Sequence, residues 1–355
     1  MYLHRAALWR RERRAKDAAV IVRLIVRRLF FFVFVLFGLS LITFTLAHVV
    51  PADPARMIAG PRASRNAVEK VRRDYGLDKP LPLQYVNYIK GIVQLDFGRS
   101  LVSRRPVRED LGRYLPATVE LGLYAFVIAT AVGIPLGVAS AVKRGTAIDH
   151  AARFVSISGL ALPVFWLALL AQFLFFGTLG WLPDGQRLPE AVDPPRSITT
   201  LYTIDALLTG NWTVLKLAVE HLILPVSVLA YGSLAVVTRM VRGCMLEVLN
   251  QDYIRTARAK GLSSSAVLTR HALKNALLPT VTSLGLQIGL LLSGAFLVEI
   301  VFSWPGIGRY AVRAIESVDY NAIMATTLIV AVIFALINLV VDIIYVFLDP
   351  RISYE

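Results

Sequence analysis

The chain has 355 residues, of which 56% are hydrophobic and 17% are charged. Soluble globular proteins average roughly 45–50% apolar and about 25% charged residues, so this composition argues against an ordinary soluble enzyme and against a disordered or fibrous chain. A single cysteine, Cys244, excludes an intrachain disulfide framework and any multi-cysteine metal site. The net charge of +14 would suggest a nucleic-acid partner if the basic residues formed one exposed face, but they are spread over connections between apolar runs, so we expect no nucleic acid.

Six apolar stretches are long enough to cross a bilayer, which requires roughly 20 mostly apolar residues. The first, LFFFVFVLFGLSLITFTLAHVV, exceeds the apolar core of about 7–15 residues that a cleaved signal peptide has. The HVVPADP that ends it is also a poor cleavage site, so we expect a retained anchor. The predicted spans are 29–50, 118–142, 154–179, 222–240, 277–302 and 322–348.

The connections between these spans predict the orientation, because Lys and Arg accumulate on the cytoplasmic side. Residues 1–28 carry nine basic residues against two acidic ones, and residues 239–276 carry seven against two. Residues 178–221 carry three against five. Both termini are therefore expected in the cytoplasm. Segment 51–117 carries thirteen basic residues against seven acidic ones, but long translocated segments largely escape this rule.

Two segments outside the spans have predictable local structure. LPLQYVNYIKGIVQL places Leu81, Tyr85, Ile89 and Ile92 on one face of a helix, which fits either the core side of a small cap or an interfacial helix. The first interpretation is preferred. Segment 178–221 contains four prolines and is expected to be irregular.

Motifs for catalysis are missing from the sequence. It contains no Gly-Lys dipeptide, and therefore no GxxxxGK[ST] phosphate loop. GxSxG, HExxH and CxxC are also absent, and the five histidines lie on different elements. We expect a chain that is not an enzyme and that binds neither a metal nor a cofactor.

The connection between the fourth and fifth spans, 241–276, carries the most specific pattern. EVLNQDYIRTARAKGLSSSAVLTRHALKNALLP predicts a short helix from Asp252 to Lys260, ended by Gly261. Ser263 or Ser264 is then expected to cap a second helix that runs into the fifth span. Such a hairpin suits docking in a groove of a partner, where small Ala257 and Ala259 would permit close approach and the basic side chains would meet acidic groups. A solvated basic loop that only fixes the topology fits these residues equally well.

This connection resembles the cytoplasmic loop of the permease subunits of binding-protein-dependent ABC transporters. The form DYIRTARAKGL followed by HALKNALLP is typical of the B-type subunits of dipeptide and oligopeptide permeases. The resemblance continues in order from about residue 23 to the C-terminus, through TFTLAHVVPADP (43–54), GLDKPLPLQY (76–85), LPATVELG (115–122), FSWPGIGR (302–309) and NLVVDIIYVFLDPRI (338–352). The chain departs from the general loop pattern at Arg255 and Thr256, which replace Glu and Ala, and at Lys274, which replaces Pro. Both departures suit the peptide-permease branch.

The resemblance implies an all-α integral membrane protein with six transmembrane helices and the architecture of a type I ABC importer permease. It implies a basic cytoplasmic N-terminus (1–28), a first span (29–50), a periplasmic segment (51–117), a five-helix core (118–348) with the coupling loop 241–276, and a cytoplasmic tail (349–355). The protein would lie in the bacterial cytoplasmic membrane.

The same resemblance implies the partners and the substrate. A second, C-type permease would complete the pathway, two ATPase subunits would bind ATP and Mg²⁺, and an extracytoplasmic binding protein would deliver di- or oligopeptides. Nickel chelates, glutathione or another small solute are alternatives within the same architecture. A channel or secondary transporter that acts without an ATPase is a remote alternative.

The residues expected to act in coupling are those of the short helix and its end. We expect them to lie in a cleft of an ATPase subunit and to move with it. They are Asp252, Tyr253, Arg255, Thr256, Ala257, Arg258, Lys260, Gly261 and Leu262.

Two further sets of residues are candidates for the pathway. Phe302, Trp304, Pro305 and Gly306 are interpreted as part of a periplasmic gate, with an interfacial aromatic anchor as the alternative. Gly285, Gln287 and Gly289 in the fifth span are interpreted as lining the pathway or a helix interface, although glycine is also simply frequent in membrane helices.

Polar residues and prolines in the spans complete the expectations. Glu120 and Glu299 are expected near the outer ends of their spans, where the cost of a charge is small. Asp342 is expected to form a structural hydrogen bond, and Pro163 is expected to kink the third span.

Overall fold

The computed structural model describes residues 25–46, 54–60, 62–74 and 76–348. Nearly all of the predicted cytoplasmic N-terminus and the whole tail 349–355 lie outside these residues. The described elements are helices, together with one isolated antiparallel bridge between Arg99 and Pro106. In chain order the helices are α1 (Ile25–Leu46), α2 (Pro54–Ala59), α3 (Arg65–Asp74), α4 (Leu81–Val93), α5 (Val107–Val142), α6 (Ala147–Ala161), α7 (Val164–Ala171), α8 (Tyr202–Leu208), α9 (Trp212–Leu249), α10 (Asp252–Ala259), α11 (Ser264–Ala266), α12 (Lys274–Val301), α13 (Ile307–Glu316) and α14 (Tyr320–Leu348).

Four helices in the described part of the chain are long and apolar enough to cross a membrane, namely α1, α5, α9 and α14. The bent pair α6 and α7 adds a fifth crossing if it is counted as one span. Helix α12 lies at the predicted fifth span but is not among these. The chain is thus helical and multi-pass, while the count of six spans stays a prediction.

Two spans are longer than hydropathy predicts. Helix α5 begins at Val107, so its first turns lie within the segment 51–117 that precedes the predicted span. Its first turn carries Glu109 and Asp110, which favour a helix N-terminus although they are not apolar. Helix α9 extends beyond the predicted span 222–240 at both ends. The Asn211 side chain caps its N-terminus by accepting a hydrogen bond from the Val214 amide at 3.1 Å. Hydropathy detects the apolar middle of a helix and misses its polar ends.

The third predicted span is broken. Helices α6 and α7 meet at an angle of 107°. Pro163 is the residue directly before the second of them, and Leu162 before it is extended (φ −86°, ψ 126°), as a residue that precedes proline prefers. The kink expected at Pro163 is confirmed, and it divides the predicted span 154–179 into two helices. The chain continues after α7 as a π-helix, Gln172–Thr178.

The irregular chain predicted for 178–221 is confirmed as far as Leu201, after which α8 begins. The buried Asp205 carboxylate holds the end of this segment by accepting from the Thr199 amide and hydroxyl, each at 2.7 Å. Burial by itself would raise the pKa of Asp205, but hydrogen bonds from Thr199, Ile198 and Thr200 lower it below its usual value.

The described chain forms two compact units, and the first contains residues 117–305 and those from 335 onward. Its apolar core joins α5, α9 and α12 through side chains such as Leu121, Leu229 and Leu291. Small residues allow close helix contact. A Cβ on Gly137 of α5 would lie 2.8 Å from the Thr238 carbonyl oxygen of α9. A Cβ on Gly285 of α12 would overlap the side chain of Val341 in α14.

The second unit contains residues 29–116 and 306–334. The helix predicted around Tyr85 is present as α4, and it packs along α1. The Tyr85 hydroxyl lies 2.8 Å from Ser40 Oγ, and its ring meets Phe44 edge-on. Helix α4 has no buried residue and Leu81 is 55% exposed, which is against its interpretation as the core side of a cap.

Two buried carboxylates organise the loop of this second unit that precedes α5. Asp319 accepts from Ser100 Oγ at 2.6 Å and from the Leu101 amide at 2.7 Å. Asp110 accepts from the Tyr310 hydroxyl at 3.3 Å. Burial, and after it the charges of Asp110 and Asp319, raise the pKa of Tyr310, so its hydroxyl stays protonated.

Close packing of α5 on α9 predicts unequal effects of two glycine substitutions. Gly137→Ala puts a methyl group against the α9 backbone, which cannot turn away, and should destabilise the protein by about 1–3 kcal/mol. Gly243→Ala in α9 has no heavy atom within 4 Å of the new methyl and should be neutral or slightly stabilising, since Ala is the better helix former. Thermal unfolding in detergent measures both, and equal melting temperatures for the two variants would contradict this packing.

Candidate functional site

The connection between α9 and α12 folds as a helical hairpin. Two residues separate the end of α9 from the start of α10, and α10 stops at Ala259, one residue before the predicted end. Gly261 then adopts a left-handed conformation (φ +75°). Of the two candidate caps, Ser263 is the one that accepts from the Ala266 amide, at 3.3 Å, and the chain continues through α11 and the π-helix Val267–Leu273 into α12. The predicted helix, glycine end and cap are confirmed.

The inner face of α10 is fixed on its own chain. Ile254 and Ala257, one helical turn apart, are 0% and 6% exposed. They pack in one apolar cluster with Val241 and Met245 of α9 and with Val267. The expectation that Ala257 permits close approach of a partner is therefore wrong, since this chain already covers it, whereas Ala259 is exposed.

The outer face of α10 is open and mostly polar. The Tyr253 hydroxyl accepts from the Asn275 side chain at 2.9 Å, which joins α10 to the start of α12. Arg255 lies 3.4 Å from Asp252, an exposed contact of the kind that adds little stability. From Asp252 to Leu262 the exposed residues are Asp252, Tyr253, Arg255, Thr256, Arg258, Ala259, Lys260, Gly261 and Leu262. They form a basic surface that also includes the side chains of Tyr253 and Leu262. The opposite face of α10 packs against this chain.

Position 261 favours glycine because of its backbone conformation, and not because a side chain would lack room there. No heavy atom lies within 4 Å of where its Cβ would be. A side chain at this position meets nothing in the chain itself, so only the positive φ selects glycine here.

The segment interpreted as a gate is buried. Phe302 and Trp304 are 0% and 1% exposed, and Trp304 donates its indole N–H to the Ala117 carbonyl at 2.9 Å. A lipid-facing anchor would expose its ring, so the alternative of an interfacial anchor does not fit Trp304. The Phe302 carbonyl accepts from the Gln186 amide at 2.8 Å, and a Cβ on Gly185 would overlap it. Pro305 is half-buried, and Gly306 begins the part of the chain that belongs to the second unit.

A buried ion pair lies near the same end of α5. Glu120 is 1% exposed, and one carboxylate oxygen accepts from both Nε and Nη2 of Arg187. Its other oxygen accepts from the Thr203 amide at 2.9 Å and hydroxyl at 2.6 Å. The Arg187 guanidinium also stacks 3.4 Å from the ring of Tyr202. Glu299 is buried as well: it is 0% exposed and accepts from the Thr118 hydroxyl. The expectation that both glutamates lie near the outer ends of their spans stays a prediction. No signal in the sequence points to Arg187, because no recognisable motif surrounds it in this proline-rich segment.

The candidate pathway residues of α12 are covered by the chain itself. Gln287 is 7% exposed, and Gly285 and Gly289 are buried. Their role in a pathway stays a prediction. Asp342 forms an ion pair with Arg28 at 2.6 Å, which confirms a structural bond for this residue. Among the described residues, no group of three His, Cys, Asp or Glu side chains is placed to hold a metal ion.

Comparison with known proteins identifies the family. Residues 133–354, which include the hairpin, match the family described as binding-protein-dependent transport system inner membrane component. Residues 21–122 match the N-terminal part of such membrane components. The chain belongs to this family.

Individual relatives agree with the family match. The chain is 46% identical over 321 residues to the probable D,D-dipeptide transport system permease protein DdpB of Escherichia coli, covering 90% of this chain and 94% of the relative. It is 44% identical over 329 residues to the dipeptide transport system permease protein DppB of Alkalihalophilus pseudofirmus, covering 92% and 98%. It is 39% identical over 331 residues to the glutathione transport system permease protein GsiC of Escherichia coli, covering 93% and 99%. The resemblance to B-type dipeptide permease subunits is confirmed.

The Glu120–Arg187 pair predicts strongly non-additive stability effects. Arg187→Met leaves a buried carboxylate without its cation and should destabilise the permease by about 3–5 kcal/mol, whereas Glu120→Gln combined with Arg187→Met should lose much less. Lys216→Met is the control, because Lys216 is 80% exposed and lies 3.8 Å from Glu220. Melting temperatures in detergent measure these effects, and additive losses in the double variant would show that the two charges do not depend on each other.

Proposed function

We propose that the chain is the transmembrane B-type subunit of an ATP-driven importer of di- and oligopeptides. It forms the translocation pathway together with a second, C-type permease. The observation that carries this proposal is 42–46% identity, over 90% or more of the chain, to proteins named as dipeptide permeases.

The hairpin supports the ATP-driven part of the proposal. Because the sequence has no phosphate loop, the energy must enter through contact with ATPase subunits that bind ATP and Mg²⁺. The surface around Arg255, Arg258 and Lys260 is exposed, while Ile254 and Ala257 attach the same helix to α9. A displacement of α10 by a bound ATPase would therefore be passed to the transmembrane helices.

The remaining parts of the proposal follow the family. The protein lies in the bacterial cytoplasmic membrane with both termini in the cytoplasm, and an extracytoplasmic binding protein delivers the solute. We propose that Phe302, Trp304, Pro305 and Gly306 belong to the gate. The buried Trp304 and the Phe302 carbonyl connect the chain that follows α12 to α5 and to the segment at Gln186. ATP can drive opening and closing only if the two states of the pathway bind nucleotide with different affinity.

Glutathione is the second candidate substrate, because GsiC is 39% identical along nearly its whole length. Glutathione is itself a modified tripeptide, so one pathway could admit either substrate. Competition separates the two candidates: uptake of a labelled dipeptide is measured with unlabelled glutathione or unlabelled dipeptide in excess.

The function is tested with the purified complex. The chain is solubilised with its neighbours, isolated by an affinity tag and assayed for ATP hydrolysis with dipeptide and binding protein. Co-purified ATPase subunits whose activity rises with both additions would support the importer. A chain that purifies alone and conducts without ATP would overturn it in favour of a channel, and stimulation by glutathione but not by dipeptides would change the substrate.

The left-handed conformation of Gly261 predicts a graded series. In Gly261→Val and Gly261→Ala the positive φ costs roughly 1–2 kcal/mol of conformational free energy, so both variants should lower peptide-stimulated ATP hydrolysis. Gly261→Asn tolerates this conformation and should keep most of the stimulated hydrolysis.

The same series separates conformation from contact. Since the chain leaves open space at this position, a loss in Gly261→Asn as large as in Gly261→Val would locate the effect at the ATPase surface. Wild-type stimulation in Gly261→Val would contradict any coupling role for the end of α10.

A further inference from the structure

Asp149 and Arg242 form a buried, bidentate ion pair beside the hairpin. The Asp149 side chain is 2% exposed and that of Arg242 is 23% exposed. Arg242 Nε lies 2.8 Å from one carboxylate oxygen, and Nη2 lies 3.2 Å from the other. Such a two-point contact fixes the relative orientation of its partners in a way that a single charge contact does not.

The same carboxylate fastens two further parts of the chain. It accepts from the Ser140 hydroxyl at 2.7 Å, near the end of α5, and from the Gly145 amide at 2.9 Å, in the turn before α6. Arg242 Nε also lies 3.0 Å from Ser140 Oγ. One buried group therefore joins the end of α5, the start of α6 and the last turns of α9.

The pair lies next to the attachment of α10. Val241 and Met245, on either side of Arg242 in α9, contact the cluster that holds Ile254 and Ala257. Ala141, adjacent to Ser140, belongs to the same cluster. The apolar contact of α10 and the polar contact of α6 thus meet on the same two turns of α9.

Stability alone does not explain a buried ion pair at this place. Replacement of such a pair by apolar residues of similar volume is often neutral or stabilising, because burying the charges is costly. A bidentate pair instead provides a defined geometry.

We propose that Asp149 and Arg242 are positioning residues that make α5, α6 and α9 follow the motion of α10. This inference rests on the proposed function. It names the contact through which a displacement of the hairpin reaches α5 and α6. Helix α10 is not itself part of that contact.

The test compares variants in the assembled complex, reconstituted in proteoliposomes with its binding protein. Arg242→Lys keeps the positive charge but removes the guanidinium group that makes the two-point contact. Asp149→Asn keeps the shape of the side chain but removes its negative charge. The control is Arg153→Gln, since Arg153 is exposed and lies 3.8 Å from the same carboxylate. Uptake of radiolabelled dialanine and release of phosphate are both measured per assembled complex.

Arg242→Lys and Asp149→Asn are expected to keep hydrolysing ATP while the peptide imported per ATP falls at least about fivefold, the lower range of coupling between distant sites. Arg153→Gln should match the wild type. A purely structural pair would lower the yield of complex and leave the ratio unchanged in the complexes that form.

Two results would overturn the inference: an unchanged ratio in both variants, or failure of both to assemble, which would assign the pair to folding. The wild-type complex separates this from the proposed function. If the wild type itself imports no peptide with ATP, the proposed function fails first, whatever the variants do.

Discussion

Buried carboxylates that have several hydrogen-bond donors fasten the helix ends of this chain. Asp149, Asp205 and Asp319 each accept from at least one backbone amide in a connection and sit in or beside the first turn of a helix. A peptide group that is left unpaired in an apolar surrounding costs free energy, and each carboxylate removes several such costs at once. Negative charge at the start of a helix is favourable as well. The three connections that donate to these carboxylates are thereby fixed to the helix starts where the carboxylates lie.

The hairpin uses a different means of attachment. Helix α10 has eight residues, too few to be stable as an isolated helix in water, so its structure depends on burial of Ile254 and Ala257 and on the turn at Gly261. Its remaining side chains are then free to be basic and exposed. This division, apolar toward α9 and charged outward, is the arrangement expected of an element that binds a second protein while it stays attached to its own.

The sequence predicts the hairpin better than it predicts the partners of the buried carboxylates. The limits of α10, the glycine at its end and the cap at Ser263 are local, since they depend on residues within one or two turns, and the pattern predicts them closely. Glu120, Arg187 and Asp149 are different, because their environment is created by residues far along the chain, such as Thr203 and Arg242. No periodicity connects these positions, so the sequence alone does not predict the partners of Glu120 or single out Arg187. The break at Pro163 is intermediate: proline predicts a bend, but the 107° angle also depends on what the two helices pack against.

The two kinds of contact on α9 have different mechanical consequences. Apolar contact is non-directional, so the cluster around Ile254 can tolerate a small rotation of α10 with little loss of buried area. The contact of Arg242 with Asp149 is directional, because both carboxylate oxygens are fixed by the guanidinium fork, by Ser140 and by Gly145. A movement that enters at α10 would be partly absorbed at the first contact and transmitted almost unchanged at the second. The ion pair is therefore the directional one of these two contacts, and it acts beside a direct contact of α6 with α9, where the Ser158 hydroxyl lies 2.6 Å from that of Tyr231.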